Sequence, residues 1–255
     1  MAKTIAVAGK GGTGKTTFCG MLIDWMVKNG KAPILAVDAD ANANLNEVLG
    51  VEVELTLGEI RETVAHIDSN PGAIPPGMSK QDYMNYKFSS ALIEEDDFDM
   101  LVMGHTQGKG CYCFVNGLLQ TEIQKIEGSY KYMVVDNEAG MEHISRGILP
   151  AVDCLILVSD CSRRGIQAVA RIAELAREIK LKPSLVGLIV NRAPGGVLNA
   201  GITEEIEKQG LTLLGVIPQD ENIYEYDSTG RPTAYLPDTS PAKAAVIKIA
   251  EKLFN

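Results

Sequence analysis

The chain has 255 residues, 45% of them hydrophobic and 22% charged, which is ordinary for a globular protein and enough for a large core. A formal net charge of −9 argues against nucleic acid or an anionic membrane surface as the main partner. No segment approaches the unbroken apolar run of about 20 residues that a membrane helix needs. The five cysteines are an odd number in a chain with no secretion signal. They are expected to be thiols in a reducing, cytoplasmic compartment rather than a disulfide scaffold.

Met1 to Gly9 looks superficially like a signal peptide, but its apolar run has only a strand's length and feeds into a glycine-rich loop. Thr4 to Ala8 is predicted as a buried strand, followed by that loop and a helix from Thr16 to about Lys28. Pro33 to Asp38 is a second strand, ending on the acidic pair Asp38 and Asp40. The stretch 52–97 is more polar and less periodic, and its turn-formers from Asn70 to Gly77 leave little room for regular structure. It is the expected insertion or mobile segment.

Buried strands return at Met100–Met103, Tyr132–Asp136, Cys154–Ser159, Leu185–Asn191 and Leu213–Ile217. Ile166, Val169, Ile172, Ala173, Ala176 and Ile179 recur at helical spacing, and a last helix is predicted from about Pro241 to Leu253. Apolar strands alternating with amphipathic helices predict a single α/β domain over 1–255, a mostly parallel sheet with helices on both faces.

Gly9-Lys10-Gly11-Gly12-Thr13-Gly14-Lys15-Thr16-Thr17 fits the phosphate-loop pattern G-x-x-x-x-G-K-[ST] between a strand and a helix. The glycines let backbone N–H groups turn inward around phosphate oxygens, and the helix start adds its positive end. Gly11, Gly12, Thr13, Gly14 and Thr17 are thus candidate nucleotide contacts. Lys15 would reach the β- and γ-phosphates, and the Thr16 hydroxyl would ligate magnesium. Acidic partners should sit at neighbouring strand ends. Asp136 suits the magnesium side, and Asp38 or Asp40 could orient the attacking water, with Asp40 the first choice. Carboxylates at such places also serve as caps for the next helix.

Lys10, directly after the first loop glycine, is the signature of MinD/ParA-type ATPases, which the chain resembles over nearly its whole length. The resemblance implies a homodimer enclosing two nucleotides, with Lys10 reaching the partner's ATP. It also implies that Asn191 and Arg192, after a late strand, and Pro218 lie by the base.

Gly110-Cys111-Tyr112-Cys113 follows a polar glycine stretch. Two thiolates one residue apart can share a soft metal ion from a turn but not from a helix. One pair fills half of a four-coordinate site, and a twofold dimer would supply the rest. Two buried cysteines in an apolar patch would give the same pattern.

Taken with Asp38–Leu45 and with Asp136-Asn137-Glu138-Ala139-Gly140-Met141-Glu142-His143-Ile144-Ser145-Arg146, these motifs resemble the CooC/AcsF family of nickel-insertion ATPases. That resemblance implies nickel or zinc on Cys111 and Cys113 at the dimer interface. It also implies metal delivery to a carbon monoxide dehydrogenase or acetyl-CoA synthase, coupled to ATP hydrolysis. His143 would then belong to a loop sensing the γ-phosphate.

Cys19, Cys154 and Cys161 fall in helix or strand patterns and are expected to be small buried hydrophobes. The apolar face of the last helix is most simply its packed side rather than a membrane anchor. A C-x-x-C of iron–sulfur carriers is not present. The competing reading is a nucleotide switch of the MinD/ParA class that acts in positioning or regulation and holds no metal.

Overall fold

The computed structural model describes residues 1–105, 113–140 and 151–254. Eight strands form one sheet: β1 (Lys3–Gly9), β2 (Ile34–Ala39), β3 (Ile93–Glu94), β4 (Phe98–Val102), β5 (Tyr132–Asn137), β6 (Cys154–Asp160), β7 (Leu185–Ala193) and β8 (Leu213–Pro218). Their order across the sheet is β3-β4-β2-β5-β1-β6-β7-β8. Every neighbouring pair is parallel except the edge pair β3 and β4. The seven predicted strands are all present, and the two-residue β3 is an addition.

Because side chains alternate along a strand, β1 feeds both layers of the core. Ala6 and Ala8 join the layer on one face, and Ile5 and Val7 the layer on the other. Helices α1 (Lys15–Lys28), α2 (Leu45–Leu49) and α9 (Pro241–Phe254) cover the second layer. Helices α3 (Leu57–Ser69), α4 (Lys80–Ala91), α5 (Cys113–Glu127), α6 (Arg163–Glu178) and α7 (Ala200–Lys208) run alongside the first. Helix α8 (Glu221–Ser228) buries none of its residues.

The segment 52–97 forms α3 and α4, joined through a short 3₁₀ turn at Pro71–Ala73. Leu57, Ile60, Val64, Met84, Phe88 and Ala91 from these helices are buried in the core. Helix α3 starts on a reciprocal cap in which Thr56 accepts from the Glu59 backbone N–H and the Glu59 carboxylate accepts from the Thr56 N–H. The stripe on α6 buries Ile166, Val169, Ala173 and Ala176, while Ile179, one residue past the helix, is exposed.

The central strand β1 lies between β5 and β6, where the order of strands along the chain reverses across the sheet. Ligands of open α/β sheets bind outside the carboxyl ends of the strands at such a reversal. The glycine loop leaves β1 at that end.

Candidate active site

Residues 10–14 turn from β1 into α1. Gly14 adopts φ 90°, and a side chain there would also meet Asn191 Nδ2 at 2.3 Å. Gly9 is equally confined, since a Cβ would come within 2.2 Å of the Val158 carbonyl oxygen of β6. The loop is braced from within and from below. Thr13 Oγ1 donates to the Lys10 carbonyl at 2.9 Å, and Asn191 Nδ2 donates to the Thr13 carbonyl at 2.8 Å. Lys15 is 6% exposed, and its Nζ reaches the Lys10 carbonyl at 3.4 Å. Lys10 itself is exposed.

Above the loop lies a cavity of about 880 Å³. Gly11, Gly12, Gly14, Lys15, Thr16 and Thr17 form one wall, and Asp40, Asn42 and Asn44 after β2 form another. Glu138 and Ala139 close the side after β5, where the Gly140 N–H donates to the Gly9 carbonyl at 3.3 Å. Arg192 lines the cavity with its backbone at φ 54°. Helix α2 and the chain after it, from Asn46 to Glu52, line a further side, and another wall comes from Asp227 and 230–233, which sequence reasoning missed. Their only local signal is the turn composition of Ser228-Thr229-Gly230-Arg231-Pro232, and their approach to the loop depends on the long return of the chain over α1. The Arg231 guanidinium carbon sits over the Tyr226 ring, 3.7 Å from its centroid.

The carboxylates divide by environment. Asp40 faces the cavity. Asp38 is fully buried behind it, accepting backbone N–H bonds from Asp40 at 3.0 Å and Leu45 at 2.9 Å. It thereby holds the loop after β2 and the start of α2, and burial raises its pKa. Asp136 is 1% exposed, and neither of its carboxylate oxygens has a hydrogen-bond partner among the described residues. Burial, and after it the charges of Asp38 and Asp40, push Asp136 up to about 7. The nearby Thr16 hydroxyl and Lys15 oppose this without cancelling it.

A buried carboxylate whose oxygens have no hydrogen-bond partner among the described residues, set beside a hydroxyl, is a hard oxygen donor set when ionised, and it fits magnesium. Thr16 and Asp136 would hold that ion, directly or through its waters. Bound there, it would neutralise charge on phosphate oxygens.

Asn191 and Pro218 lie off the cavity wall. Asn191 braces the loop from beneath, and Pro218 ends β8 in register with Ala193 of β7. Cys19, one turn after Lys15, is buried, and burial followed by the charge of Asp136 raises its thiol pKa well above the ordinary value. Cys154 is also buried, and Cys161 is half-buried. Cys111 and His143 lie outside the described residues, as does the side chain of Cys113. Among the described residues no group of three or more His, Cys, Asp or Glu could hold a metal ion. Among them, no helix is long and apolar enough to cross a membrane.

A strand, a glycine loop with a buried lysine and a helix, set at the reversal point of a parallel sheet, define a P-loop nucleotidase. Residues 4–233 match the CobQ/CobB/MinD/ParA nucleotide binding domain, and the chain belongs to that family of ATPases. It is 41% identical to an uncharacterized ATP-binding protein of Methanocaldococcus jannaschii, over 98% of both chains. It is 32% identical to the carbon monoxide dehydrogenase accessory protein CooC of Rhodospirillum rubrum, covering 93% of this chain and 90% of that one. The structure of the septum site-determining protein MinD of Pyrococcus horikoshii, complexed with Mg-ADP, superposes with a TM-score of 0.71 at 23% identity. That match covers 100% of this chain and 97% of the other, and it speaks to the fold.

Proposed function

We propose that this ATPase works as a homodimeric metallochaperone, delivering nickel as its substrate to a carbon monoxide dehydrogenase or acetyl-CoA synthase. The observation that carries the reading is the 32% identity to CooC over 93% of the chain, in a sequence that also holds the Cys111-Tyr112-Cys113 pair. ATP occupies the large cavity, with its phosphates on the backbone N–H groups of 11–17 and on Lys15. Asp40, facing the cavity, orients the attacking water. Thr16 and Asp136 hold magnesium, and Arg192 lies toward the base. Lys10 is exposed and free to extend beyond its own subunit, as a charge supplied across a dimer interface must. Cys111 and Cys113 supply half of a four-sulfur nickel or zinc site, completed by the second subunit.

The test is activation of the nickel-free client enzyme. Purified protein, nickel and ATP together should restore client activity faster than nickel alone. A Cys111→Ser/Cys113→Ser variant should lose the acceleration while it still hydrolyses ATP. An equal rate with and without the protein would leave a nucleotide switch without metal delivery as the better reading.

A further inference from the structure

A second cavity, of about 400 Å³, lies farther along α1 from the phosphate loop. Its floor is apolar, built from Ile23 and Val27 of α1, Leu49 of α2 and Phe98 of β4. Tyr235, half exposed, stands at one side. Its rim is acidic: Glu95, Asp96 and Asp97 form the exposed turn between β3 and β4, and none has an ion-pair partner among the described residues. Asp24 also lines the cavity, but its charge is already matched by Lys28 at 2.9 Å and by buried Lys243. Three consecutive unmatched carboxylates crowd this tight turn, closed by the Glu95 N–H donating to the Phe98 carbonyl at 3.1 Å, and make a compact acidic edge beside an apolar floor. A small cation could fill the floor but would leave most of that edge unmatched. An extended chain segment carrying lysine or arginine next to an apolar side chain complements both at once.

The walls of this cavity continue into those of the nucleotide cavity. Helix α1 presents Lys15 to Thr17 at one and Ile23 to Lys28 at the other. Helix α2 begins at Leu45, whose N–H donates to Asp38, and ends at Leu49 in the second floor. The 3₁₀ turn Thr233–Tyr235 gives Thr233 to the first cavity and Tyr235 to the second. A shift of α2 or of this turn therefore reaches both sites, and coupling between them must be reciprocal.

We propose that this cleft docks a basic segment of a partner protein, anchored by an apolar side chain, and that its occupancy and the nucleotide state bias one another. The experiment is a selection of displayed random dodecapeptides on the whole protein, followed by fluorescence anisotropy with the most enriched peptide. Enriched sequences should pair Lys or Arg with Leu, Ile or Phe. Binding should weaken about tenfold or more in an Asp96→Lys/Asp97→Lys variant, because like charges then face each other. Val27→Ser, which removes floor without touching the rim, should weaken it as well. Affinity should also differ between the nucleotide-free and ADP-bound protein. Enriched peptides without basic residues, or unchanged binding in the charge-reversed variant, would overturn the docking site. Equal affinity in both nucleotide states would overturn the coupling.

Discussion

The environments of Lys10, Lys15 and Asp136 differ enough to give each a distinct signature on mutation. Lys15 is buried against its own loop, so Lys15→Ala removes the fixed positive charge of the cradle. ATP affinity and turnover should both collapse. Lys10 is exposed, and Lys10→Ala should leave ATP binding by the monomer intact while hydrolysis and ATP-induced dimerisation fail. Calorimetric ATP binding beside turnover separates the two, and equal loss of binding in both variants would contradict a role across an interface. Asp136 titrates near 7 in the folded chain against an ordinary 3.8, so between those values the folded state holds a proton that the unfolded state has released. Stability from this group is therefore greatest at low pH and is lost as pH rises toward 7. With chelator present and no nucleotide, Asp136→Asn should stabilise the protein more at pH 8 than at pH 5. The difference should be about 3 kcal/mol at about 1.4 kcal/mol per unit. A gain independent of pH, measured by chemical denaturation, would show that the carboxyl is not held protonated by burial.

At the scale of elements, α9 is pinned to α1 by one buried charge. Lys243 is 1% exposed, pairs with Asp24, and donates to the Ala234 carbonyl at 2.6 Å. Lys243→Met leaves the Ala234 oxygen unpartnered and Asp24 with only the exposed end of Lys28. It should cost about 3 kcal/mol in a denaturant titration. The double variant Lys243→Met/Asp24→Leu should recover part of that loss, since neither charge is then stranded. A double variant no more stable than the single one would mean that packing rather than charge carries the contact.

This pair is also a case of what the sequence conceals, because Lys243 reads as part of the last helix's polar face until the fold brings Asp24 to it. Most strands were legible because they are continuous apolar runs buried on both faces, as in Met133-Val134-Val135, whereas β8 buries only Ile217. Helix α3 could have been read as well, since Thr56 and Glu59 stand at capping-box spacing. Helix α4 offered less, with only Met84, Phe88 and Ala91 buried among 12 residues. In the site, the loop and Asp136 follow from local pattern alone. Asn191 is recognisable as important, but its contact with the Thr13 carbonyl spans 178 residues and no local spacing encodes it. The wall at 227–233 is hidden for the same reason.

For the whole molecule, the proposed nickel site makes metal content a measure of assembly. If Cys111 and Cys113 supply half of a four-sulfur site, the purified protein should hold one nickel or zinc ion per two chains. Thiols with a reference pKa of about 8.5 must ionise to ligate, so binding should release protons and affinity should fall steeply as pH drops. Cys19 and Cys154 are poor substitutes, because burial raises both thiols, Cys154 to about 11. ATP affinity should not depend on these thiols, since no thiol among the described residues lines the nucleotide cavity, and any pH course it shows should track Asp136 near 7 instead. Either Cys111→Ser or Cys113→Ser should therefore abolish tight metal binding and leave ATP affinity unchanged. Equilibrium dialysis with elemental analysis, run beside sedimentation on the same samples, checks the stoichiometry and the dimer together. Full occupancy in the Cys111→Ser/Cys113→Ser double variant would sink the four-sulfur site. One ion per chain in a monomer would break the link between metal and dimer, even with both thiols bound.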